Sequence, residues 1–314
     1  MTSQVFVPPG PLQTAVLFLV FNRPDTTEQV FKAIRQARPP RLYVAADGAR
    51  NGRLGEAERV EKVRKIATEV DWPCEVKTLF RENNLGCKFA VSRAITWFFE
   101  SEKQGIILED DCLPAQSFFW YCEDLLNKYK DDQSIYLISG DARGPEAIGM
   151  EEDYGFCKYP LIWGWASWRR VWSMYDVELN QWGKDGDRLL NIVTSHKPTK
   201  IFWSKAFEGV RSGKINTWDY QLVHALLINK GKCVVPRCNL ISNIGFGSGA
   251  THTTNKSSQE ANRQIFDIRF PLRHNPSHGD EIRINYFLEK TIFCQSTIFE
   301  RVIKKLKTFF KRSP

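Results

Sequence analysis

The amino-acid sequence predicts an α/β protein whose mostly parallel, twisted sheet is covered by helices on both faces. Two observations lead to this fold class. From Thr14 onward, short apolar runs alternate with segments of helical periodicity, an alternation typical of strand–helix–strand units. The chain of 314 residues, 42% of them hydrophobic, is also long enough to bury a full core.

The predicted elements follow one another in a regular order. The continuous apolar run 15–21 predicts the first strand, and the polar turn 22–25, which contains Pro24, ends it and opens a helix. The same criteria predict further strands at 41–46, 75–80, 105–108 and 134–139. They predict helices at 26–37, 56–70, 114–129 and 216–231, and one more that follows Gly86 and ends near residue 100.

Charge and motif content exclude several functional classes. The formal charge of +8 suits an anionic partner, but no RNA-binding or zinc-finger pattern accompanies the basic residues, so nucleic acid is not predicted as a partner. No glycine-rich dinucleotide fingerprint follows the first strand, and no phosphate loop is present, which disfavours a dehydrogenase or a phosphate-loop nucleotidase. The run 15–21 is too short to span a bilayer.

The eight cysteines predict neither a zinc site nor a disulfide framework. No pair has the two-residue spacing of a zinc knuckle. A chain of this size does not need disulfides for stability. We expect reduced and mostly buried thiols at Cys74, Cys87, Cys112, Cys122, Cys157, Cys233, Cys238 and Cys294.

Three consecutive carboxylates, Glu109, Asp110 and Asp111, follow the predicted fourth strand. Like charges at this spacing repel one another, so a cation that neutralises them would stabilise the cluster. A strand buried on both faces holds neighbouring side chains rigidly, and a hard divalent ion prefers oxygen ligands. The triplet therefore predicts a metal site. The alternative is that Asp110 and Asp111 only cap the following helix.

Polar side chains also follow the other predicted parallel strands. Asn22 and Arg23 come after the first strand, Asp47 after the second and Asn84 after the third. The carboxyl ends of parallel strands meet at one edge of a sheet, where α/β proteins bind ligands. These residues predict a polar rim suited to a nucleotide. Ordinary loop polarity is the alternative for Arg23 and Asp47.

The segment from Tyr159 to Trp172 is rich in tryptophan and interrupted by glycine. Rings beside a glycine, as in Trp163-Gly164-Trp165, can form a platform on which a sugar or a base stacks. Large aromatic side chains more often fill a core. Both interpretations stay open at the level of sequence.

Two later segments carry candidate catalytic groups. Asp219 lies in the first turn of a predicted helix, where the helix dipole favours an ionised carboxylate that can act as a general base. Its alternative role is that of an ordinary N-terminal helix charge. The segment 242–253 contains Gly247 among three closely spaced glycines and predicts a mobile or phosphate-approaching loop. His252 is a candidate ligand contact, although a lone loop histidine usually has no such role.

The end of the chain predicts a basic amphipathic helix that begins at Ser296 and ends at Arg312. Apolar residues recur there at helical spacing with lysine and arginine between them. Such a helix can lie in an anionic membrane surface, and the alternative is that it docks on the domain. We therefore expect a cytoplasmic protein that is peripheral at the inner face of the cytoplasmic membrane.

Taken together, these segments resemble the GT-A (Rossmann-like) fold of glycosyltransferases. The resemblance is to the inverting N-acetylglucosaminyltransferase I type and its bacterial nucleotide-diphospho-sugar transferase relatives, and it runs in order over residues 14–255. The apolar strand that ends in Glu109-Asp110-Asp111 resembles that family's Glu-Asp-Asp version of the Asp-X-Asp motif. Trp163-Gly164-Trp165 resembles its Gly-Trp turn near the donor sugar. The segment that contains Asp219 resembles its Trp-Asp-Asp-Trp catalytic segment.

The resemblance implies a role for each matching residue. Asp111 would coordinate Mn²⁺ (or Mg²⁺), with Glu109 and Asp110 near the ribose or the water shell of the metal. Asp47 would pair with the uracil edge, Arg23 would contact the nucleotide, and the loop with Gly247 and His252 would close over the donor. Asp219 would be the catalytic base. This chain has Trp-Asp-Tyr where the family has two adjacent acids.

The implied function is transfer of a sugar, with inversion, from a nucleotide-diphospho-sugar such as UDP-GlcNAc to a glycan or lipid-linked acceptor. Residues 1–140 would form the nucleotide-sugar half of the domain, 141–255 its acceptor half and 256–314 a C-terminal extension. One alternative is a degenerate module that only binds a nucleotide or glycan. The other is a sugar-phosphate nucleotidyltransferase, although the segment 21–25 lacks the glycine-rich loop that this class needs.

Overall fold

The computed structural model describes residues 6–246, 262–274, 276 and 278–293. Ten strands lie within these ranges: β1 Val16–Val20, β2 Arg41–Ala46, β3 Glu75–Phe80, β4 Gln104–Glu109, β5 Cys112–Pro114, β6 Ile135–Ser139, β7 Tyr154–Cys157, β8 Trp165–Trp168, β9 Lys232–Pro236 and β10 Ile241–Asn243.

Ten helices lie in the same part of the chain: α1 Pro24–Ala37, α2 Glu56–Ala67, α3 Gly86–Ser101, α4 Ser117–Lys128, α5 Arg143–Ile148, α6 Arg169–Trp172, α7 Trp182–Val193, α8 Lys197–Arg211, α9 Asp219–Ile228 and α10 His278–Thr291. Several begin where the sequence provides a start. Pro24 opens α1 and Pro198 lies in the first turn of α8, where the missing N–H is not needed.

Among the described residues, eight strands form one sheet in the order β3–β2–β1–β4–β8–β6–β9–β7. β1, β2, β3 and β4 pair in parallel, whereas β8 and β7 run antiparallel to their neighbours. The predicted fold class, a mostly parallel sheet flanked by helices, is confirmed. β5 and β10 form a separate two-stranded ribbon.

The chain changes direction across the sheet between β1 and β4. The first connections step from β1 to β2 and β3, and the chain then returns to β4 on the other side of β1. Because such crossovers are right-handed, α1 and α2 lie on one face and α3 lies on the opposite face. A crevice opens at the carboxyl ends of β1 and β4, at the switch point where doubly wound folds bind ligands.

Burial explains why the central strands form. All five residues of β1 are buried, as expected for a parallel strand covered on both faces. β3 is the edge strand, and its residues are exposed or half-buried. The sheet and the helices enclose a continuous core that includes the fully buried Phe18, Phe98 and Phe118.

The predicted bounds of several elements need correction. The sequence places a helix start at Pro114, but Pro114 ends β5, which pairs antiparallel with β10, and α4 begins at Ser117. The helix predicted at 56–70 ends at Ala67, and the one predicted at 216–231 occupies Asp219–Ile228. The predicted strands at 41–46 and 75–80 coincide with β2 and β3.

Strands from both predicted halves of the domain belong to the large sheet, and the division at 140 and 255 itself stays a prediction. Gly247, His252 and the segment 296–312 lie outside the described residues. Within the described residues, no helix combines the length and the apolar character needed to cross a membrane. The seven cysteines in this part of the chain are free thiols, four of them buried, and Cys294 lies outside the described residues.

Candidate functional site

Two adjoining cavities open at the carboxyl ends of the central parallel strands. The first cavity has a volume of about 370 Å³, and its lining includes Phe21, Asn22, Asp47, Arg50, Arg81 and Asn84. The second cavity has a volume of about 390 Å³, and its lining includes Asp111, Trp163, Thr217, Asp219, Tyr220 and Asn243. Arg23, Cys87 and Glu109 line both cavities and mark their junction.

The acid triplet lies at this junction because β1 pairs with β4. Their parallel register sets Leu19 opposite Glu109, so the residues that follow each strand emerge side by side. Arg23 donates from Nη2 to Asp110 Oδ1 at 2.5 Å and from Nη1 to Asp111 Oδ2 at 2.9 Å. The backbone N–H of Phe21 donates to Asp110 Oδ2 at 3.1 Å.

The electrostatics of the triplet follow from burial and from Arg23. Burial raises the pKa of Glu109, and the neighbouring charges of Asp111 and Asp110 raise it further. Burial also raises the pKa of Asp110, against the opposing effect of Arg23. Burial lowers the pKa of the Arg23 guanidinium, but the carboxylates of Asp110 and Asp111 outweigh this and hold it above its ordinary value. The guanidinium is therefore a permanent cation at the junction.

Asp47 and Asn84 hold the loops that border the first cavity. Asp47 is buried and accepts hydrogen bonds at 3.0 Å from the backbone N–H groups of Leu85 and Gly86. Gly86 begins α3 with φ +74°, a conformation that favours glycine. Asn84 Nδ2 donates to the carbonyl of Gly48 at 2.8 Å. Both side chains therefore contribute to the shape of the cavity as well as to its polarity.

Glu56 and Arg50 are residues of this region that sequence reasoning missed. Glu56 is 1% exposed and accepts hydrogen bonds from Asn22 Nδ2 at 2.7 Å and from the backbone N–H of Arg50 at 2.8 Å. Hydrogen bonds from the Arg50 side chain lower the pKa of Glu56 to about 2 despite its burial. In the sequence, Glu56 is one of several acids on a charged helix, so no pattern distinguishes it.

Asp219 lies in the first turn of α9, as predicted, and lines the second cavity together with Asp111 and Glu109. The hydroxyl of Thr217 donates to Asp219 Oδ1. Asp219 can therefore serve as a proton acceptor in the second cavity, across the junction from the first cavity.

The structure distinguishes between the two interpretations of the tryptophan-rich segment. Trp165 is 1% exposed, and its ring stacks on Trp218 with centroids 5.8 Å apart, so it belongs to the core. Trp163 is half-buried and lines the second cavity. Gly164 separates the two with φ +58°, and a Cβ there would overlap Ile241. Gly164 thus allows Trp165 to pack in the core while Trp163 lines the cavity.

Trp163 has defined neighbours. The Arg143 guanidinium lies 4.5 Å from its ring centroid, and the ring of Phe246 meets it edge-on at 5.9 Å. Arg143 Nε in turn donates to the fully buried Asp141 at 2.7 Å. Asp141 therefore holds the Arg143 guanidinium against the Trp163 ring and helps to fix the orientation of that ring in the cavity wall.

Few protein donors are available to a divalent ion at the acid triplet. Among the described residues, no group of three or more histidine, cysteine, aspartate or glutamate side chains is arranged to hold a metal. Asp111 Oδ2 accepts from Arg23, and Asp111 Oδ1 accepts a weak hydrogen bond from the Cys112 thiol at 3.6 Å. One carboxylate with spare acceptor capacity fits an ion whose remaining ligands are phosphate oxygens and water, as is usual for Mg²⁺.

The structure thus defines an α/β protein with a Rossmann-like sheet and two adjoining cavities with charged linings at its switch point. No protein-family model matches the chain, and no curated protein gives a significant match.

Solved structures with a similar arrangement of elements include the following three proteins. UDP-glucose pyrophosphorylase complexed with UDP-glucose is 10% identical, with a TM-score of 0.37 over 72% of this chain and 90% of that one. 4-diphosphocytidyl-2C-methyl-D-erythritol synthase from Anaerococcus prevotii is 7% identical, with a TM-score of 0.37 over 88% and 99%. HddC from Yersinia pseudotuberculosis is 10% identical, with a TM-score of 0.31 over 55% and 86%.

UDP-glucose pyrophosphorylase is a nucleotidyltransferase by name, and it is nearer to that alternative than to the GT-A glycosyltransferases of the sequence resemblance. Similarity at TM-scores below 0.5 decides neither reaction for this chain. The choice between them therefore depends on the chemistry of the two cavities.

Proposed function

We propose that the protein is an inverting glycosyltransferase that uses a nucleotide-diphospho-sugar donor, with UDP-GlcNAc as the first donor to test. One observation carries the proposal. The two cavities meet at Arg23 and Glu109, with a polar rim on one side and Asp219 on the other. A donor that crosses the junction would have its nucleotide in the first cavity and its sugar in the second, near the acceptor and the base.

In this proposal the first cavity binds the nucleoside. Its wall combines polar groups from Asp47 and Asn84 with apolar groups from Ala90 and Val91. A base needs both apolar contact for its faces and hydrogen-bonding groups for its edge. Arg81 lines the same cavity, and its guanidinium would offer donors for ribose or base oxygens.

The diphosphate would lie at the junction. Arg23 has the planar donor geometry that suits phosphate oxygens. Asp111 would hold Mn²⁺ or Mg²⁺ together with the phosphates, and a bound ion there supplies Lewis-acid stabilisation of the departing nucleotide. Buried Asp110 keeps the Arg23 side chain oriented through its hydrogen bond.

Asp219 would accept the proton of the acceptor hydroxyl as its oxygen attacks the anomeric carbon from the face opposite the phosphate. Attack from that face inverts the configuration. The Thr217 hydroxyl orients the carboxylate, and Trp163 provides an aromatic wall against which a sugar ring can pack. Alignment of the hydroxyl with the anomeric carbon is itself a large part of the rate gain in such reactions.

Asp219→Asn tests the assignment of the base. We expect transfer to fall by at least about 100-fold, with donor binding retained, because the amide keeps the shape but cannot accept the proton. Asp71→Asn is the matched control, since Asp71 is an exposed acid on the surface beside Arg35. Unchanged transfer by Asp219→Asn would remove this residue as the base.

A sugar-phosphate nucleotidyltransferase is the second candidate, because it would use the same nucleotide cavity and the same acids. The product distinguishes the two. A nucleotidyltransferase incubated with UTP and a sugar 1-phosphate releases pyrophosphate, whereas a glycosyltransferase releases UDP from a UDP-sugar. A protein that binds nucleotide or glycan and does neither would be the binding module.

The acceptor class and the location of the protein belong to the same proposal. We expect a glycan or lipid-linked saccharide as acceptor, and peripheral attachment to anionic membranes through the basic segment 296–312. Removal of residues 296–314 should move the protein from the membrane fraction to the soluble fraction. An unchanged distribution would indicate that the segment does not anchor the protein.

A further inference from the structure

The two aspartates at the cavity junction already have a cationic partner. Among the described residues, Arg23 is the basic side chain that pairs with Asp110 and with Asp111. Both carboxylates are buried, whereas the Arg23 side chain is 24% exposed and lines both cavities. The guanidinium can therefore be reached by a ligand that enters from either cavity.

The position of Arg23 is fixed on both sides. Its carbonyl accepts hydrogen bonds from Thr27 N at 3.0 Å and Thr27 Oγ1 at 2.7 Å, which anchors the backbone at the start of α1. Gly245 lies against the other side, where a Cβ would overlap both Asp111 Oδ2 and Arg23 Nη1. Asn243 Oδ1 accepts from Gly245 N at 2.9 Å and holds that turn in place. The ion pair is thus a packed part of the fold.

A divalent ion at Asp111 would compete with this resident cation. Two cations on one carboxylate repel each other, and a buried site screens that repulsion poorly. A diphosphate changes the balance, because its oxygens offer the guanidinium an alternative partner with two parallel hydrogen bonds. The same oxygens add ligands for the metal.

We propose that Arg23 is a resident counter-ion that keeps divalent metal off Asp111 until a nucleotide diphosphate engages the guanidinium, so that metal and nucleotide bind together. The inference rests on the proposed nucleotide-diphosphate site and deepens it. It makes metal affinity a property of the complex, with reciprocal coupling between the two ligands. Arg23 is a positioning residue here, and the exchange breaks only hydrogen bonds and ion pairs.

The test measures Mn²⁺ binding directly by the loss of the free-ion electron paramagnetic resonance signal. For the wild-type chain, we expect weak binding of Mn²⁺ alone and at least about tenfold tighter binding with UDP present. Arg23→Gln removes the charge, so Mn²⁺ alone should bind about 100-fold more tightly than to wild type. The effect of UDP on Mn²⁺ affinity should shrink in this variant.

Three variants make the result specific. Arg35→Gln removes a surface arginine that pairs with Asp71 and lines neither cavity, and it should leave Mn²⁺ affinity unchanged. Arg23→Lys keeps a positive charge, so the binding of Mn²⁺ without UDP should stay weak. Adding Asp111→Asn to Arg23→Gln should abolish the gained affinity, which would locate it at this carboxylate.

The proposal stays testable if the charge removal unfolds the protein. Arg23→Gln combined with Asp110→Asn removes one charge of each sign and should show the same gain in affinity for Mn²⁺. A wild-type chain that binds UDP but binds Mn²⁺ equally well with and without it, or a folded Arg23→Gln with no gain in Mn²⁺ affinity, would overturn the inference. Failure of every nucleotide to bind would instead refute the proposed function. The tighter binding of Mn²⁺ alone by Arg23→Gln is measured without nucleotide, so it can still be tested in that case.

Discussion

Replacing Glu56 with glutamine tests how the border of the first cavity is held. Glu56 is the first residue of α2, and its buried carboxylate joins Asn22 to Arg50, two residues that line the cavity. Glutamine has the same length, but its NH₂ group would face the Arg50 guanidinium, and it carries no charge. The substitution therefore removes charge-assisted hydrogen bonds without opening a void.

The magnitude follows from the pKa of this carboxyl. Hydrogen bonds from Arg50 lower the pKa of Glu56 from 4.5 to about 2, despite burial, which corresponds to about 3 kcal/mol of stability at neutral pH. The Arg50 side chain is 45% exposed, so solvent screening reduces the expected effect to about 1–2 kcal/mol. For a chain of 314 residues, this lowers the melting temperature by about 2–3 °C.

The pH dependence has a definite sign. The folded-state pKa of Glu56 is depressed, so its contribution is complete above pH 4.5 and is lost as the pH falls towards 2. The stability difference between wild type and Glu56→Gln, read from their melting temperatures, should therefore be constant from pH 7 to about 5.5. It should fall to less than half of that value by about pH 3. Thermal unfolding followed by circular dichroism at four pH values measures it.

Binding provides a second readout for the same variant. Because Asn22 and Arg50 lose their common acceptor, we expect UDP affinity to fall about tenfold, as when a buried charge-assisted hydrogen bond is lost. Glu58→Gln is the control, since Glu58 is an exposed acid in the same turn of α2. A difference in melting temperature that persists unchanged at pH 3, or equal effects of the two variants, would refute the role of Glu56.

Three other substitutions test burial and packing. Burial lowers the pKa of His224 from 6.5 to about 4. The stability that its neutral ring contributes to the fold is therefore lost as the pH falls from 6.5 towards 4. Between pH 7 and pH 5, the free energy of unfolding from urea curves should fall by about 2 kcal/mol less in His224→Phe than in wild type. Gly245→Ala should weaken metal-dependent UDP binding in calorimetry by at least about tenfold, because its Cβ would overlap the Asp111 carboxylate. Trp165→Ala should destabilise the fold by about 3–5 kcal/mol in the same urea curves, because it removes a buried ring that stacks on Trp218.

The sequence is informative wherever an element is long and its pattern is strong. The predicted bounds of β2 and β3 coincide with the structure because a mostly apolar run in β2 and an alternating polar and apolar run in β3 each end at turn residues. The meeting of the strand ends also follows from the alternation of strands and helices alone. This is how Asn22, Arg23 and Asp47 could be assigned to one rim without coordinates.

The sequence is uninformative where a contact depends on a distant, short element. β5 and β10 have three residues each, too few for any periodicity, and their pairing removes Pro114 from the predicted helix. Asn243 reaches the second cavity only through this pairing, opposite Cys112. No local pattern could have identified it.

The charge balance of the acid triplet illustrates the same limit. Three adjacent carboxylates require a positive partner, and from sequence alone a metal ion is the natural choice. The actual partner in the chain, Arg23, lies 88 residues before Asp111 and reaches it because β1 and β4 pair in a register that sets Leu19 opposite Glu109. A shift of that register would move the side chains after β1 away from those after β4.

It follows that the β1–β4 register does more than build the sheet. It brings a fixed positive charge to the point where the first and second cavities meet, and it does so in a part of the fold where both strands are buried. A ligand with separated anionic and neutral parts would be oriented by that charge as it binds, with its anionic centre at Arg23. A nucleotide-diphospho-sugar has this form, since its charge lies between the nucleoside and the sugar, and a free glycan does not. Binding of UDP-sugars in preference to uncharged oligosaccharides of equal size, measured by calorimetry at low and high salt, is the consequence that separates a nucleotide-sugar site from a glycan-binding module.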